Sequence, residues 1–259
     1  MGTLANRVAL VTGSSSGIGH GIADHFATLG ARVLVHGLEA EAGERIAADI
    51  RARGGDAAFA GGDIAEEAVC RGLVRTAVER FGGLDILVNN AGIYTRASVE
   101  TASVAFWDRM MAINLRAPFI LMQAAIEPMR ARGGGSIVNI GSINAYVGMA
   151  TLGPYSVSKG ALMTLTRNAA QTLGTHRIRV NQLNVGWTLT EGEDRVKREE
   201  EGQPANWIED AGRTRAFGRI LSPRDIAQAA AFFASDESAL ITGSVLDVEQ
   251  FAVGAPGTW

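Results

Sequence analysis

Six short apolar runs, rich in β-branched and small residues, recur along the chain: Val8 to Val11, Val33 to Val35, Ala57 to Ala60, Ile86 to Val88, Ile137 to Ile140 and Ile178 to Leu183. Helical patterns fill the intervals, which is the signature of successive βαβ units and a parallel sheet. The runs are continuously apolar rather than alternating, as strands covered on both faces must be. Between the first two, Ile18, Ile22, Phe26 and Leu29 line one helix face that stops at Gly30. The pattern predicts an α/β fold with helices on both faces of a parallel sheet.

With 259 residues, 47% of them apolar, the chain can bury one substantial core, and no repeat, low-complexity tract or linker divides it. A single domain spanning 1–259 is expected. The regular pattern breaks only between Trp187 and Leu221, where a charge run, Glu191 to Glu201, and the isolated Trp207 and Phe217 suggest a lid over a substrate site or a disordered insertion. A net charge of −3 advertises no basic surface for nucleic acid or anionic lipid. No apolar run approaches the length of a membrane span, and the N-terminal residues lack the regions of a secretory leader, so a soluble cytoplasmic protein is expected. Cys70 is the only cysteine, which leaves no intramolecular disulfide or multi-thiolate metal site; its amphipathic surroundings mark it as core, and no metal is expected.

Thr12 to Gly19, Thr-Gly-Ser-Ser-Ser-Gly-Ile-Gly, follows the first strand and opens the first helix. Glycines there let the backbone approach a pyrophosphate, and the N–H groups and dipole at the helix start favour its charge. Glycines alone leave open a plain strand-to-helix turn. Further along, Tyr155 and Lys159 stand four apart ahead of a helical pattern through Leu162, Leu165 and Ala169, so they share a helix face. A neighbouring ammonium pulls a phenol below its reference pKa of about 10, toward chemistry near neutral pH. Only Lys159 and Lys197 are lysines among the 24 basic residues, so an incidental lysine at that spacing is a poor explanation.

Together these features resemble the short-chain dehydrogenase/reductase family, from the first strand to Gly243. Thr12 to Gly19 matches its glycine-rich turn, Asn89-Asn90-Ala91-Gly92 its second signature, and Asn114, Ser142, Tyr155 and Lys159 its catalytic tetrad. The resemblance implies a Rossmann-like, doubly wound parallel β-sheet of about seven strands. It implies an NAD(P)-dependent oxidoreductase interconverting a secondary alcohol, of sugar, polyol or hydroxy acid type, and its ketone by hydride transfer. Tyr155 would be the general acid or base, Lys159 would lower its pKa and hold the ribose, Ser142 would stabilise the reacting oxygen, and Asn114 would anchor a water leading to solvent. For Ser142 a polar strand end, and for Asn114 a helix kink or cap, are the plain alternatives.

By the same mapping Gly13, Ser15, Ser16, Gly17, Ile18 and Gly19 would line the pyrophosphate, and Asp63 and Ile64 the adenine. Asn90, Ala91, Gly92, Gly186, Thr188 and Thr190 would lie on the ribose and nicotinamide side. Asp63 also reads as a helix cap before Ala65. The ribose-selecting position falls at His36, Gly37 and Leu38, with neither the acidic residue that reads the 2′-hydroxyl of NAD nor an arginine for the 2′-phosphate of NADP. With no lysine or arginine in Ser14 to Ser16 either, NAD is favoured; His36 and the serines keep NADP open. Substrate contacts are expected from Ser142, Asn144, Tyr155, Tyr94 and Trp187, with Tyr146 a further candidate; ordinary packing is the alternative for the aromatics. Two departures stand out: Val185-Gly186 for the family's Pro-Gly, and Gln250-Phe251 for its C-terminal Gly-Gly. A homotetramer is expected. The competing functions are an epimerase or dehydratase that recycles its cofactor and a non-catalytic dinucleotide-binding regulator, against which the intact tetrad argues.

Overall fold

In the computed structural model, which describes residues 3–254, every one of the six apolar runs lies within a strand. The strands are β1 (Val8–Val11), β2 (Arg32–Gly37), β3 (Asp56–Gly61), β4 (Ile86–Asn89), β5 (Gly135–Ser142), β6 (Ile178–Val185) and β7 (Val245–Val248). They form one parallel seven-stranded sheet in the order β3-β2-β1-β4-β5-β6-β7. The seventh strand escapes an apolar-run search because it is a half-covered edge: Leu246 and Asp247 face solvent.

Helices α1 (Gly17–Thr28), α2 (Ala40–Ala52) and α9 (Pro223–Ala234) pack on one face through Ile22, Phe26, Ile46, Ile50, Ile226 and Phe233. On the other lie α3 (Glu67–Phe81), α5 (Ala117–Ala131) and α6 (Gly153–Leu173), anchored by Leu73, Ile120, Leu121 and Leu173. Each large side chain so buried is worth roughly 1.5–3 kcal/mol. Cys70 belongs to this second layer, fully buried, and burial pushes its thiol up to about 11, so it is packing and not a nucleophile. A short helix α4 (Val104–Met111) runs into α5 through a π-helical turn at Ala112–Arg116. The chain order reverses between β1 and β4, which opens a crevice at the strands' carboxyl ends where such folds bind ligands.

The insertion is more regular than its sequence suggests. It carries α7 (Glu191–Arg195), a π-helical turn at Val196–Glu200 and α8 (Trp207–Arg213). Ion pairs four residues apart, Asp194 with Arg198, Lys197 with Glu201 and Glu209 with Arg213, turn the apparently disordered charge run into helical faces. Its limbs join where Leu189 N–H donates to Leu221 O and Leu221 N–H to Trp187 O.

Candidate active site

The glycine-rich turn is held from three sides. The Thr12 hydroxyl accepts from the N–H groups of Asn90 and Ala91 at 3.0 and 3.1 Å, and Asn90 Nδ2 donates to the carbonyls of Thr12 and Gly13 at 2.9 and 3.1 Å. Asn90 is thus spent on the turn itself. Gly13 has φ 62°, and a Cβ there would lie 2.7 Å from Ala91 Cα, so only glycine closes this junction. From below, His36 Nδ1 accepts from Gly13 N–H at 3.2 Å while Nε2 donates to Gly62 O at 3.0 Å. Burial lowers its pKa and favours the neutral ring that this arrangement requires. The sequence placed His36 beside the ribose; its ring is instead committed beneath the turn.

The first-turn N–H groups of α1 open from this turn, and the Ser16 hydroxyl, at the N-cap, makes no capping bond. Exposed Ser16 and half-buried Ser15, Gly17 and Ile18 therefore frame a cradle that suits a pyrophosphate. Gly37 is also needed for space: a Cβ there would lie 2.1 Å from Ser15 Oγ and 2.5 Å from Ser15 Cβ. Ser15 fills the volume that an acidic side chain at position 37 would take.

Asp63, expected near an adenine, does not cap a helix, since α3 begins at Glu67. Its Oδ1 accepts from Ala65 N–H at 2.9 Å within a turn, and its Oδ2 pairs with Arg109 at 2.7 Å. Burial opposes its ionisation, but Arg109 and Ala65 outweigh that and hold the carboxyl below its ordinary value. The Ile64 side chain lies in the core, leaving only its main chain to face a base.

Ser142 ends β5, Tyr155 and Lys159 occupy successive turns of α6, and Asn114 sits in the π-helical turn before α5. The Lys159 ammonium lies 5.7 Å from the Tyr155 ring centroid, so the two do share a face. A Cβ at Gly92 would stand 3.2 Å from Asn114 Oδ1 and 3.6 Å from Lys159 Nζ, which places the second signature against the tetrad. Asn114 Oδ1 accepts from Ile93 N–H at 2.9 Å, and Nδ2 donates to Ile93 O at 2.8 Å and Ser158 Oγ at 3.1 Å. It therefore fixes the segment leading to Tyr94, and a π-helical turn stands where the plain alternative puts a helix kink. π-Turns of this kind recur at functional sites.

The electrostatics differ from the sequence expectation. Burial pushes the Tyr155 phenol above its ordinary pKa, and the Ser142 side chain draws it part of the way back. Burial also lowers Lys159 to about 8, its ammonium donating to Ile140 O at 2.8 Å. Desolvation penalises charge on both groups and sets the direction of both shifts.

Tyr94 is half-exposed; its hydroxyl lies 3.0 Å from where a Cβ on Gly192 of α7 would be, so it faces the insertion. Burial and Glu193 raise its pKa. Thr190 caps α7, its Oγ1 accepting from Glu193 N–H at 3.1 Å, and its methyl lies 3.4 Å from a Cβ position on Gly17, beside the glycine-rich turn. Thr188 is buried, donating to Gly186 O at 3.1 Å. Gly186 N–H donates to Val248 O at 3.0 Å, which ties this loop to β7.

Two aromatic side chains expected near the substrate have partners of their own. Trp187 stacks on Trp207 at 5.9 Å, carries Lys197 and Arg215 over its ring at 5.2 and 5.6 Å, and donates from Nε1 to Glu193 at 2.8 Å. It anchors the insertion. Tyr146 turns toward β7, its hydroxyl donating to Asp247 at 3.1 Å. Sequence reasoning missed Arg109, Glu193 and Arg215, whose roles depend on partners far along the chain. Gln250 and Phe251, noted only as departures, join the same assembly: Gln250 accepts from Phe217 N–H and donates to Arg219 O, and Arg215 lies 5.3 Å from the Phe251 ring.

A family sequence model described as Enoyl-(Acyl carrier protein) reductase matches residues 13–250. The trans-4-hydroxycyclohexanecarboxylate dehydrogenase of Sinomonas cyclohexanicum is 38% identical over 257 residues, which cover 95% of this chain and 92% of the relative. The cyclopentanol dehydrogenase of a Comamonas species is 36% identical over 249 residues, covering 96% and 98%. Among solved structures, a short-chain dehydrogenase/reductase from Serratia marcescens superposes with a TM-score of 0.86 at 34% identity, covering 96% of this chain and 98% of its own. The chain belongs to the short-chain dehydrogenase/reductase family, and it is an oxidoreductase.

Proposed function

We propose that the protein interconverts a secondary alcohol and its ketone, with NAD as the preferred partner and Tyr155 as the proton-transferring group. The observation that carries this reading is the convergence of Asn114 and Lys159 on Gly92, with the Tyr155 ring against Lys159 and the Ser142 side chain on the Tyr155 phenol. Bound there, the nicotinamide supplies the hydride acceptor or donor. Gly13 and Ser15 to Gly19 hold the pyrophosphate, Ala91 and Gly92 border the ribose, and Gly186, Thr188 and Thr190 flank the carboxamide.

In the oxidation direction Tyr155 accepts the alcohol proton, and in reduction it returns one to the ketone oxygen. The Ser142 hydroxyl donates to the oxygen on which charge develops. Lys159 stays cationic below pH of about 8, where its charge helps the phenol ionise and its protons hold ribose hydroxyls. Asn114 fixes the backbone at Ile93 and orders the proton path behind Lys159. The 187–221 insertion acts as a lid that brings Tyr94 toward the substrate and excludes water. Preference for NAD rests on the absence of lysine or arginine at positions 14–16 and 37–38.

The substrate is a small secondary alcohol of sugar, polyol or hydroxy acid type; the relatives' names add alicyclic alcohols to the compounds worth testing. A homotetramer is part of the reading, supported by an apolar groove of about 810 Å³ on the outer face of α4, α5 and α6, with Met111, Phe119 and Leu165 in its walls. Titration with NADH and NADPH at fixed ionic strength, followed by a secondary-alcohol screen read by nicotinamide absorbance, tests the proposal. Tight NADH binding with net absorbance change supports it. Binding of neither nucleotide contradicts it, and binding with chemical conversion but no net absorbance change selects the cofactor-recycling alternative.

A further inference from the structure

Ser142 has two donors aimed at one hydroxyl. Asn144 N–H lies 3.2 Å from Ser142 Oγ, and Asn144 Nδ2 lies 3.3 Å from the same atom. A serine hydroxyl has two lone pairs and one proton. With both lone pairs occupied, the proton is left for another acceptor, and the neighbouring group that responds to Ser142 is the Tyr155 oxygen.

The amide leaves its other end unpaired. Asn144 Oδ1 is buried and has no hydrogen-bond partner. Turned over, the amide would place Oδ1 on Ser142 and accept its proton, and the serine would then have nothing to give the reacting oxygen. Native structures rarely leave such an atom orphaned, and those that do are often found at sites where function fixes the arrangement.

We infer that Asn144 is a positioning residue that fixes the polarity of Ser142, so that the serine donates to, and never accepts from, the reacting oxygen. The inference rests on the proposed roles of Ser142 and Tyr155. It does not depend on which alcohol is the substrate.

The test is a double-mutant cycle of Asn144→Leu and Ser142→Ala, read first in the ligand-free protein. Tyr155 ionisation is followed by difference absorbance against Tyr155→Phe, since Tyr94 and Tyr146 are the other tyrosines. Asn144→Leu is expected to move Tyr155 ionisation to higher pH, and to have no effect in the Ser142→Ala background. Equal shifts in both backgrounds, or no shift in either, overturn the inference.

With a turned-over alcohol, Asn144→Leu is expected to slow hydride transfer about tenfold, and Asn144→Asp, which offers Ser142 an acceptor, about 100-fold. The Asn144→Asp rate relative to wild type should recover as pH falls and the new carboxyl regains a donor proton. A ratio independent of pH overturns the inference. Because the ionisation measurement needs no substrate, its failure is distinguishable from failure to find an alcohol that turns over.

Discussion

Lys159 Nζ lies 2.8 Å from the Ile140 carbonyl oxygen, inside a site that lowers its pKa from 10.5 to about 8 by desolvation. The ammonium is therefore held at a cost to the fold. In the unfolded chain the lysine binds its proton up to its ordinary pKa, and in the folded chain only up to about 8. Between these values the unfolded state binds more protons, so stability rises with pH across that window, and below it the full penalty of about 3 kcal/mol is present. Lys159→Met is accordingly expected to raise the stability of the ligand-free protein at neutral pH while abolishing turnover. Its advantage should shrink as pH rises from about 8 toward the ordinary lysine value, as denaturant titrations over that range would show.

Cofactor choice is expected to depend on Ser15 and Gly37 as a pair. Gly37→Asp alone looks from sequence like a simple gain of NAD preference, but its Cβ would lie 2.5 Å from Ser15 Cβ, which no serine rotamer relieves. The single variant should lose affinity for NADH and NADPH alike by distorting the turn. Ser15→Gly combined with Gly37→Asp makes room for the carboxylate, which accepts from a 2′-hydroxyl and repels a 2′-phosphate, and should widen the NADH preference about tenfold or more. Paired fluorescence titrations read both ratios.

The insertion is expected to open as a unit when its aromatic anchor is removed. Trp207 is nearly fully buried, stacks on Trp187 and donates to Asp194 at 2.8 Å. Trp207→Ala removes an anchor of the kind whose loss costs roughly 3–5 kcal/mol in a core. Here the loss falls on a local structure, so limited proteolysis between Glu191 and Arg213 should accelerate with little change in global Tm. Substrate KM should rise several-fold, and NADH affinity should change far less.

The parts of the fold and site legible in the sequence are those that chemistry confines to short spacings. The glycine-rich turn, the Tyr155 and Lys159 pair and the six apolar runs are local patterns, and the structure places each in the element the pattern implies. What stayed hidden depends on segments that meet only after folding. Nothing around His36 reveals that its ring spans Gly13 and Gly62, and nothing around Gly37 reveals Ser15 in its space. The direction of the Tyr155 shift is hidden for a related reason: a lysine four residues on is visible in sequence, whereas the burial that raises the phenol's pKa is not. Trp187 follows a cofactor loop and reads as pocket lining, and nothing around it reveals that Trp207, Lys197 and Arg215 pack against its ring.

The central claim is that Tyr155 moves the proton while the glycine-rich crevice independently holds the dinucleotide. Tyr155→Phe removes the hydroxyl and almost no volume, so it separates the two. Single-turnover hydride transfer and NADH affinity should be measured together for wild type and variant, with an alcohol or ketone that the wild type converts. Transfer is expected to fall by at least about 100-fold, the scale of a lost general acid or base, with NADH affinity within a few-fold of wild type. Near-normal transfer in the variant would contradict the claim.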